Sequence, residues 1–199
     1  MKARTVMTDE EIIGELRGCD ALLEGHFLLS SGRHSAHYLQ CARVLMDPER
    51  AARLAFALSQ KIPRDIRNQI DVVISPAMGG LIIGHEMGRA LGKTAMFLER
   101  PEGTFELRRG FALQEGARVL MVEDVVTTGK SSVEAIQAVK REGGEVIAEA
   151  ALVDRSSGEA DMGVPFFPLI QLSFPTYPED EVPESLQAVP VTKPGSRKV

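Results

Sequence analysis

The 199-residue chain has only two cysteines and no apolar run of the roughly 18 residues that a membrane-spanning helix requires. Cys19 and Cys41 form no C-x-x-C pair and lack the histidine cluster of a zinc site, so a reducing compartment is the simpler reading. The amino terminus has no apolar stretch for secretion, and a cytoplasmic location without membrane attachment is expected. Basic runs and basic patches interleaved with aromatics are also missing. With a net charge of −5 and a pI near 5.5, this argues against a nucleic-acid surface, which needs a basic stripe to neutralise phosphates. The chain shows neither an internal repeat nor a low-complexity segment.

What is present is enough apolar material, 44% of residues, to fill the core of one α/β domain with a small appendage. Thr8 and Glu11 have the spacing of a capping box, followed by a helical stripe through Ile12, Ile13, Leu16, Leu22 and Leu23. Residues 27–41 read as two short strands around a Ser-Ser-Gly-Arg turn. Asp47 and Pro48 start a second helix that runs toward Lys61. Strands and helices then alternate. A strand from Asp71 to Ile74 precedes a helix from Leu81 to Leu91, stopped by Gly92, and a strand from Ala95 to Leu98 follows. The strand from Val119 precedes a helix carrying Val133, Ile136 and Val139, and the last strand runs from Val146 to Val153. This alternation predicts an α/β fold with a doubly wound, mostly parallel sheet. The tail from about residue 175 is proline-rich and reads as an extended wrap over the surface or a partner subunit, with disorder expected only in its last few residues.

The most informative stretch is VLMVEDVVTTGKSS, residues 119–132. Val119 to Val122 is a continuous apolar run, as in a strand covered on both faces. Its TGKS ending invites comparison with the nucleotide loop G-x-x-x-x-G-K-[ST]. The position of that loop's first glycine is held here by Asp124, whose carboxylate would repel the phosphate. A different site follows from the same residues. Val125, Val126, Thr127, Thr128, Gly129, Lys130 and Ser131 lead into a helix whose first turn offers free N–H groups and the positive end of the dipole, a phosphate cup. Glu123 and Asp124 stand at the carboxyl end of the strand, where open α/β sheets bind ligands. Vicinal sugar hydroxyls or a hard divalent cation would satisfy both acids; otherwise they are solvated acids at a strand end.

Two further segments bear on phosphate. In ISPAMGG, Ala77, Met78, Gly79 and Gly80 form a strand-to-helix loop whose N–H groups can bind a second phosphate, or a tight turn that needs glycine for packing alone. Between residues 99 and 113, Arg100, Arg108 and Arg109 punctuate a loop longer than most connections. It is either a lid whose guanidinium forks suit a pyrophosphate leaving group or a solvated charged hairpin.

EDVVTTGKS resembles the phosphoribosyl-diphosphate signature of the type I phosphoribosyltransferases: two acids, apolar residues, then a short Thr/Gly/Ser loop. With GHFLLSSGRHSAHYLQCA, the ELRRGF loop, VDRSSG and KPGSR, in order from about residue 24 to the end, the chain resembles the orotate phosphoribosyltransferase family. The resemblance implies the type I phosphoribosyltransferase fold as a single domain over residues 1–199, with a small hairpin hood over about residues 1–45. The implied activity is transfer of ribose 5-phosphate from phosphoribosyl diphosphate to N1 of orotate, giving orotidine 5′-phosphate and pyrophosphate in pyrimidine synthesis. Mg²⁺, bound mainly through the substrate near Glu123 and Asp124, is the implied cofactor, and a homodimer whose loops reach the neighbouring active site is the implied assembly.

The same resemblance assigns roles by position. Asp124, Arg100, Arg108 and Arg109 would be catalytic, and Glu123 and Asp124 would hold the ribose hydroxyls. Val125 to Ser131 would cup the 5′-phosphate. Ala77, Met78 and Gly79 would grip pyrophosphate, together with Arg100, through a loop whose cis peptide falls between Ala77 and Met78. Thr127 and Arg155 would face orotate, and His37, Tyr38 and Leu39 would form the hood over its ring, with Tyr38 equally readable as a core aromatic. Arg155 suits the chemistry because orotate differs from uracil by a carboxylate, which a guanidinium pairs bidentately; failing that, it is a surface arginine at a strand end.

The chain departs from the family pattern twice. Many members have a lysine just before the Ser-Gly-Arg of the hairpin, where Ser30 stands here. They also carry lysines in the loop, where this chain has Pro101 and Thr104, and no lysine lies between Lys93 and Lys130. Arginine is therefore expected to supply the charge that meets pyrophosphate. Two rival readings remain at this point: transfer to another base, and a non-catalytic sensor of phosphoribosyl diphosphate.

Overall fold

The computed structural model describes residues 7–29 and 31–194; Ser30 and the Gly-Ser-Arg of KPGSR lie outside the described residues. Helix α1 (Asp9–Arg17) opens with the predicted capping box. The Thr8 hydroxyl accepts from the Glu11 N–H at 3.3 Å, and the Glu11 carboxylate accepts from the Thr8 N–H at 2.8 Å. The helix stops at Gly18, and the chain turns through Asp20 in the left-handed region, φ 54. Leu22 and Leu23 therefore do not prolong the helical stripe, as their spacing predicts, but begin strand β1 (Leu22–Leu28). Two adjacent apolar residues fit either period, and the turn decides between them.

The hairpin continues with β2 (His34–Leu39), followed by α2 (Cys41–Leu45) and α3 (Pro48–Lys61). The Asp47 carboxylate caps α3 by accepting from the N–H groups of Glu49 and Arg50, at 2.9 and 3.1 Å. After α4 (Arg64–Arg67) come β3 (Val72–Pro76), α5 (Gly80–Leu91) and β4 (Thr94–Glu99). Gly92 ends α5 with φ 65, as a left-handed C-cap requires. A two-residue strand, β5 (Glu106–Leu107), precedes β6 (Arg118–Val126), α6 (Lys130–Arg141), β7 (Glu145–Asp154) and β8 (Phe166–Gln171). The tail adds β9 (Thr176–Tyr177), α7 (Glu184–Gln187) and β10 (Val191–Thr192).

The larger sheet has the order β5-β4-β3-β6-β7-β8, and every pairing in it is parallel except that of β5 with β4. Val73, Leu120 and Val122 belong to one core cluster with Leu54 and Leu58 of α3 and Ile83 and Met87 of α5. Val72, Ile74, Val119 and Met121 belong to another with Ala135, Ala138 and Val139 of α6. Alternate residues of each strand thus feed opposite faces, both covered by helices, which is the doubly wound arrangement the sequence predicts. From β3 the chain runs outward to β4 and then crosses back to β6 on the other side. The carboxyl ends of β3 and β6 are neighbours at this reversal, the place where such sheets open a crevice for ligands.

Strand β8 was not expected. Pro165 and Pro168 hide it, because a proline inside a run argues against a central strand; as the edge strand, β8 tolerates a missing N–H. The hood is a second sheet of order β10-β1-β2-β9, so the tail does not merely wrap the surface: it supplies both edges of the hood. Among the described residues no helix is long and apolar enough to cross a membrane.

Candidate active site

The two loops at the reversal touch. A Cβ built on Gly79 would lie 2.6 Å from Asp124 Oδ1, and one on Gly80 would lie 3.0 Å from the Val122 carbonyl and 3.4 Å from Glu123 Oε2. Glycine at both positions lets the loop after β3 close on the acid pair at the end of β6. The Ala77–Met78 peptide in this loop is cis, as the resemblance implies.

Glu123 is only 7% exposed, and its carboxyl is pushed up to about 8. Burial is the main cause, with Asp124 and Glu149 adding repulsion and the Ser131 hydroxyl and Arg100 opposing it. Burial also raises Asp124, against the backbone N–H groups of Val125 and Asp124 itself. Burial thus disfavours the charged form of both acids, and a cation or hydroxyl donors placed beside them would favour it again.

A cavity of about 340 Å³ opens over these residues, lined by Arg100, Glu123, Val125 to Ser132 and Glu134. The residues read as the phosphate cup from the sequence are thus brought together, with Arg100 of the lid at their rim. Gly129 enters α6 with φ 74, and a Cβ there would meet Met162 Sδ at 3.0 Å, so only glycine fits both turn and packing. No acidic residue lies in the first turn of α6 to oppose an anion.

The loop read from the sequence as a lid or a charged hairpin is a hairpin docked on the sheet edge. Leu98 pairs with Leu107 and Glu99 with Glu106, Phe105 is buried, and Arg141 donates to the Phe105 carbonyl at 3.1 Å. Each lid arginine is held by a carboxylate. Arg100 pairs with Glu134 at 2.6 Å and lies 3.9 Å over the Phe105 ring, while Arg108 and Arg109 pair with Glu99 at 3.4 and 2.6 Å. Arg108 and Arg109 are absent from the cavity lining, so of the three only Arg100 faces the cup.

Arg155 lies at the end of β7, where its N–H donates to the Val126 carbonyl at 2.8 Å beside Thr127. Its side chain has no carboxylate partner among the described residues, its Nε is buried without a hydrogen bond, and burial lowers its pKa. Across from it, β2 divides its residues between two faces. Tyr38 leans on Phe27, ring centroids 5.7 Å apart, whereas His37 stacks on Phe174. Leu39 is packed into the main core. The hairpin therefore brings His37, rather than Tyr38 and Leu39 together, toward the end of β7.

The sequence reading missed two residues. Glu149, in the middle of β7, is fully buried with both carboxylate oxygens unpartnered, and burial pushes its carboxyl up to about 7. The Ser132 hydroxyl opposes that rise from a geometry short of a formed hydrogen bond. A lone glutamate inside the apolar strand VIAEAALV was the available signal. Phe174, from the linker after β8, stacks on His37 and approaches Arg155; nothing in the local sequence marks it.

Comparison with known proteins agrees with this geometry. The family described as "Phosphoribosyl transferase domain" matches residues 43–167. An orotate phosphoribosyltransferase of Erythrobacter litoralis is 73% identical over 96% of this chain and 99% of its own, and one of Novosphingobium aromaticivorans is 72% identical over 96% and 98%. Among solved structures, an orotate phosphoribosyltransferase from Aeropyrum pernix superposes with a TM-score of 0.65 at 29% identity, covering 80% of this chain and 93% of that one. With a parallel sheet reversing at an acid pair beside a loop-lined cavity, and relatives this similar along nearly its whole length, the chain belongs to the phosphoribosyl transferase family and, within it, to the orotate phosphoribosyltransferases.

Proposed function

We propose that the protein transfers ribose 5-phosphate from phosphoribosyl diphosphate to N1 of orotate, giving orotidine 5′-phosphate and pyrophosphate for pyrimidine synthesis. The observation that carries the substrate is Arg155, a largely buried guanidinium without a carboxylate partner, next to the phosphate cup. A buried cation left unpaired is costly, and the carboxylate that distinguishes orotate from uracil is the counter-charge it lacks.

In this reading Val125 to Ser131 hold the 5′-phosphate through backbone N–H groups and hydroxyls at the start of α6. Glu123 and Asp124 accept the ribose hydroxyls, and the backbone of Ala77, Met78 and Gly79 meets the diphosphate. As the C1–O bond breaks, positive charge grows on the ribose ring and negative charge on pyrophosphate. Asp124 answers the first, and Arg100 the second, with Arg108 and Arg109 available once they leave Glu99. Contacts that strengthen only in that transition state raise kcat. Thr127 and Arg155 orient orotate, under the hood hairpin that contributes His37.

The acid pair suits Mg²⁺, since carboxylate oxygens are its preferred ligands. In this reading the ion is carried largely by substrate oxygens beside Glu123 and Asp124. Bound there, it would neutralise diphosphate charge and favour the ionised acids. The reading further takes the chain as one catalytic domain in a cytoplasmic homodimer whose loops reach the neighbouring site. The test is a spectroscopic assay of orotate depletion with phosphoribosyl diphosphate and Mg²⁺. Depletion that requires all three is expected; none under any of these conditions sinks the proposal.

A further inference from the structure

The linker between β8 and β9 is hydrogen-bonded on both sides of its residue 174, at Leu172 and Ser173 before it and at Pro175 and the first residue of β9, Thr176, after it. The Leu172 N–H donates to the Asp154 carbonyl at 2.9 Å, and the Ser173 hydroxyl meets that of Ser157 at 3.0 Å. The Pro175 carbonyl accepts from the Ser35 hydroxyl at 3.4 Å, and Thr176 takes two bonds from the Arg33 guanidinium, at 2.8 Å through its hydroxyl and 2.6 Å through its carbonyl. The segment ties the carboxyl end of β7 to the hood hairpin, and the residue in its middle is Phe174.

The Phe174 ring stacks on His37 with centroids 4.4 Å apart and planes 16° from parallel. The Arg155 guanidinium carbon lies 5.5 Å from the same ring's centroid. One aromatic side chain from the linker thus joins a histidine from the hood to an arginine from the sheet. Both neighbours also carry a buried nitrogen without a partner: Nδ1 of His37 and Nε of Arg155. A buried arginine is ordinarily paired with a carboxylate, and even the three exposed lid arginines are. At Arg155 an aromatic face stands in that place. A ring's quadrupole attracts a guanidinium without cancelling its charge, so the cation is held and keeps its attraction for an anion.

We propose that Phe174 is a positioning residue that sets specificity for the pyrimidine carboxylate: seated between His37 and Arg155, it fixes the guanidinium while leaving the counter-charge to the incoming ligand. The inference rests on the reading of Arg155 as the orotate arginine. Phe174 acts through that side chain and takes no part in the phosphoribosyl diphosphate site.

The test compares Phe174→Leu, which removes the aromatic face but keeps apolar bulk, with Phe174→Tyr, which keeps the face. Steady-state kinetics are run with orotate and with uracil, and thermal unfolding checks the fold. In Phe174→Leu the orotate KM should rise by about tenfold, the phosphoribosyl diphosphate KM should stay within about twofold, and the preference for orotate over uracil should fall by the same factor as the orotate KM rises. Phe174→Tyr should behave like wild type. If the leucine variant does not fold, Phe174→Met supplies the same comparison with a more adaptable side chain. A folded Leu or Met variant with unchanged orotate KM overturns the proposal, and so does an equal rise in both KM values, which would mark a merely structural linker. Arg155→Ala separates the two levels: unchanged orotate kinetics there sink the reading of Arg155 itself, whereas a strong effect there with none at Phe174 removes only the role given to Phe174.

Discussion

The two sides of the crevice treat arginine in opposite ways. On the side proposed to bind phosphate every lid arginine is neutralised, Arg100 by Glu134 and both Arg108 and Arg109 by Glu99, and each of these three contacts is with a carboxylate at least partly open to water. On the pyrimidine side Arg155 is largely buried, faces an aromatic ring and has no carboxylate. A phosphate site can keep its cations parked, because a multiply charged ligand competes well for them and because parked loops release product. A site that must tell one carboxylate from none cannot supply its own, since an internal acid would satisfy the arginine whether or not the ligand carried a charge.

The largest effect should come from removing the unneutralised cation. Arg155→Ala should lower orotate kcat/KM by roughly 30-fold or more, the equivalent of about 2 kcal/mol for a lost charged contact, with phosphoribosyl diphosphate KM nearly unchanged. A parallel loss for both substrates would erase the distinction between the two sides.

On the other side, Asp124→Asn keeps the shape of the site but removes a charge from the ribose end. Turnover should fall by at least about tenfold with the fold intact. Wild-type turnover in a well-folded variant would mean that Asp124 does no more than pack against Gly79.

Glu149 tests whether the buried acids behind the cup shape its pH response. Its folded-state pKa, about 7, lies above the ordinary 4.5 of a glutamate, so the folded protein binds this proton more tightly than the unfolded chain. The stabilisation is complete below about 4.5 and is lost as pH rises through about 7. Glu149→Gln should therefore raise the unfolding midpoint by about 3 °C or more at pH 8 and leave it nearly unchanged at pH 4. An equal shift at both pH values would show that packing, not charge, is responsible.

The smallest effect should be at Glu134. Because exposed ion pairs contribute little, Glu134→Gln should tighten phosphoribosyl diphosphate by only about two- to threefold at low salt, and the gain should vanish at high salt. A weaker KM in this variant would mean that Glu134 orients Arg100 for the ligand rather than competing with it.

The sequence made the phosphate side far more legible than the pyrimidine side, for a physical reason. Glu123 to Ser131 are consecutive, so one strand end, one loop and one helix start contain the whole cup, and the requirements for glycine and free N–H groups are written in one place. The pyrimidine side is assembled from β2, the end of β7 and the linker after β8, and only the folded chain brings His37, Arg155 and Phe174 together. The resemblance implies His37, Tyr38 and Leu39 together over the ring, yet neighbouring residues on a strand face opposite ways. In the fold, β3, α5, β6 and α6 were readable from apolar runs and glycine stops, whereas β8 was hidden by Pro165 and Pro168. Strands β9 and β10, two residues each, carry no periodicity to detect.

The central claim is that a guanidinium kept free of internal acids reads the carboxylate of orotate, and the orotate-to-uracil ratio of kcat/KM tests it most directly when measured in both wild type and Arg155→Ala. The account predicts a ratio of roughly 30 or more in wild type that collapses toward one in the variant. A wild-type ratio near one, or a large ratio that survives the loss of Arg155, would contradict it.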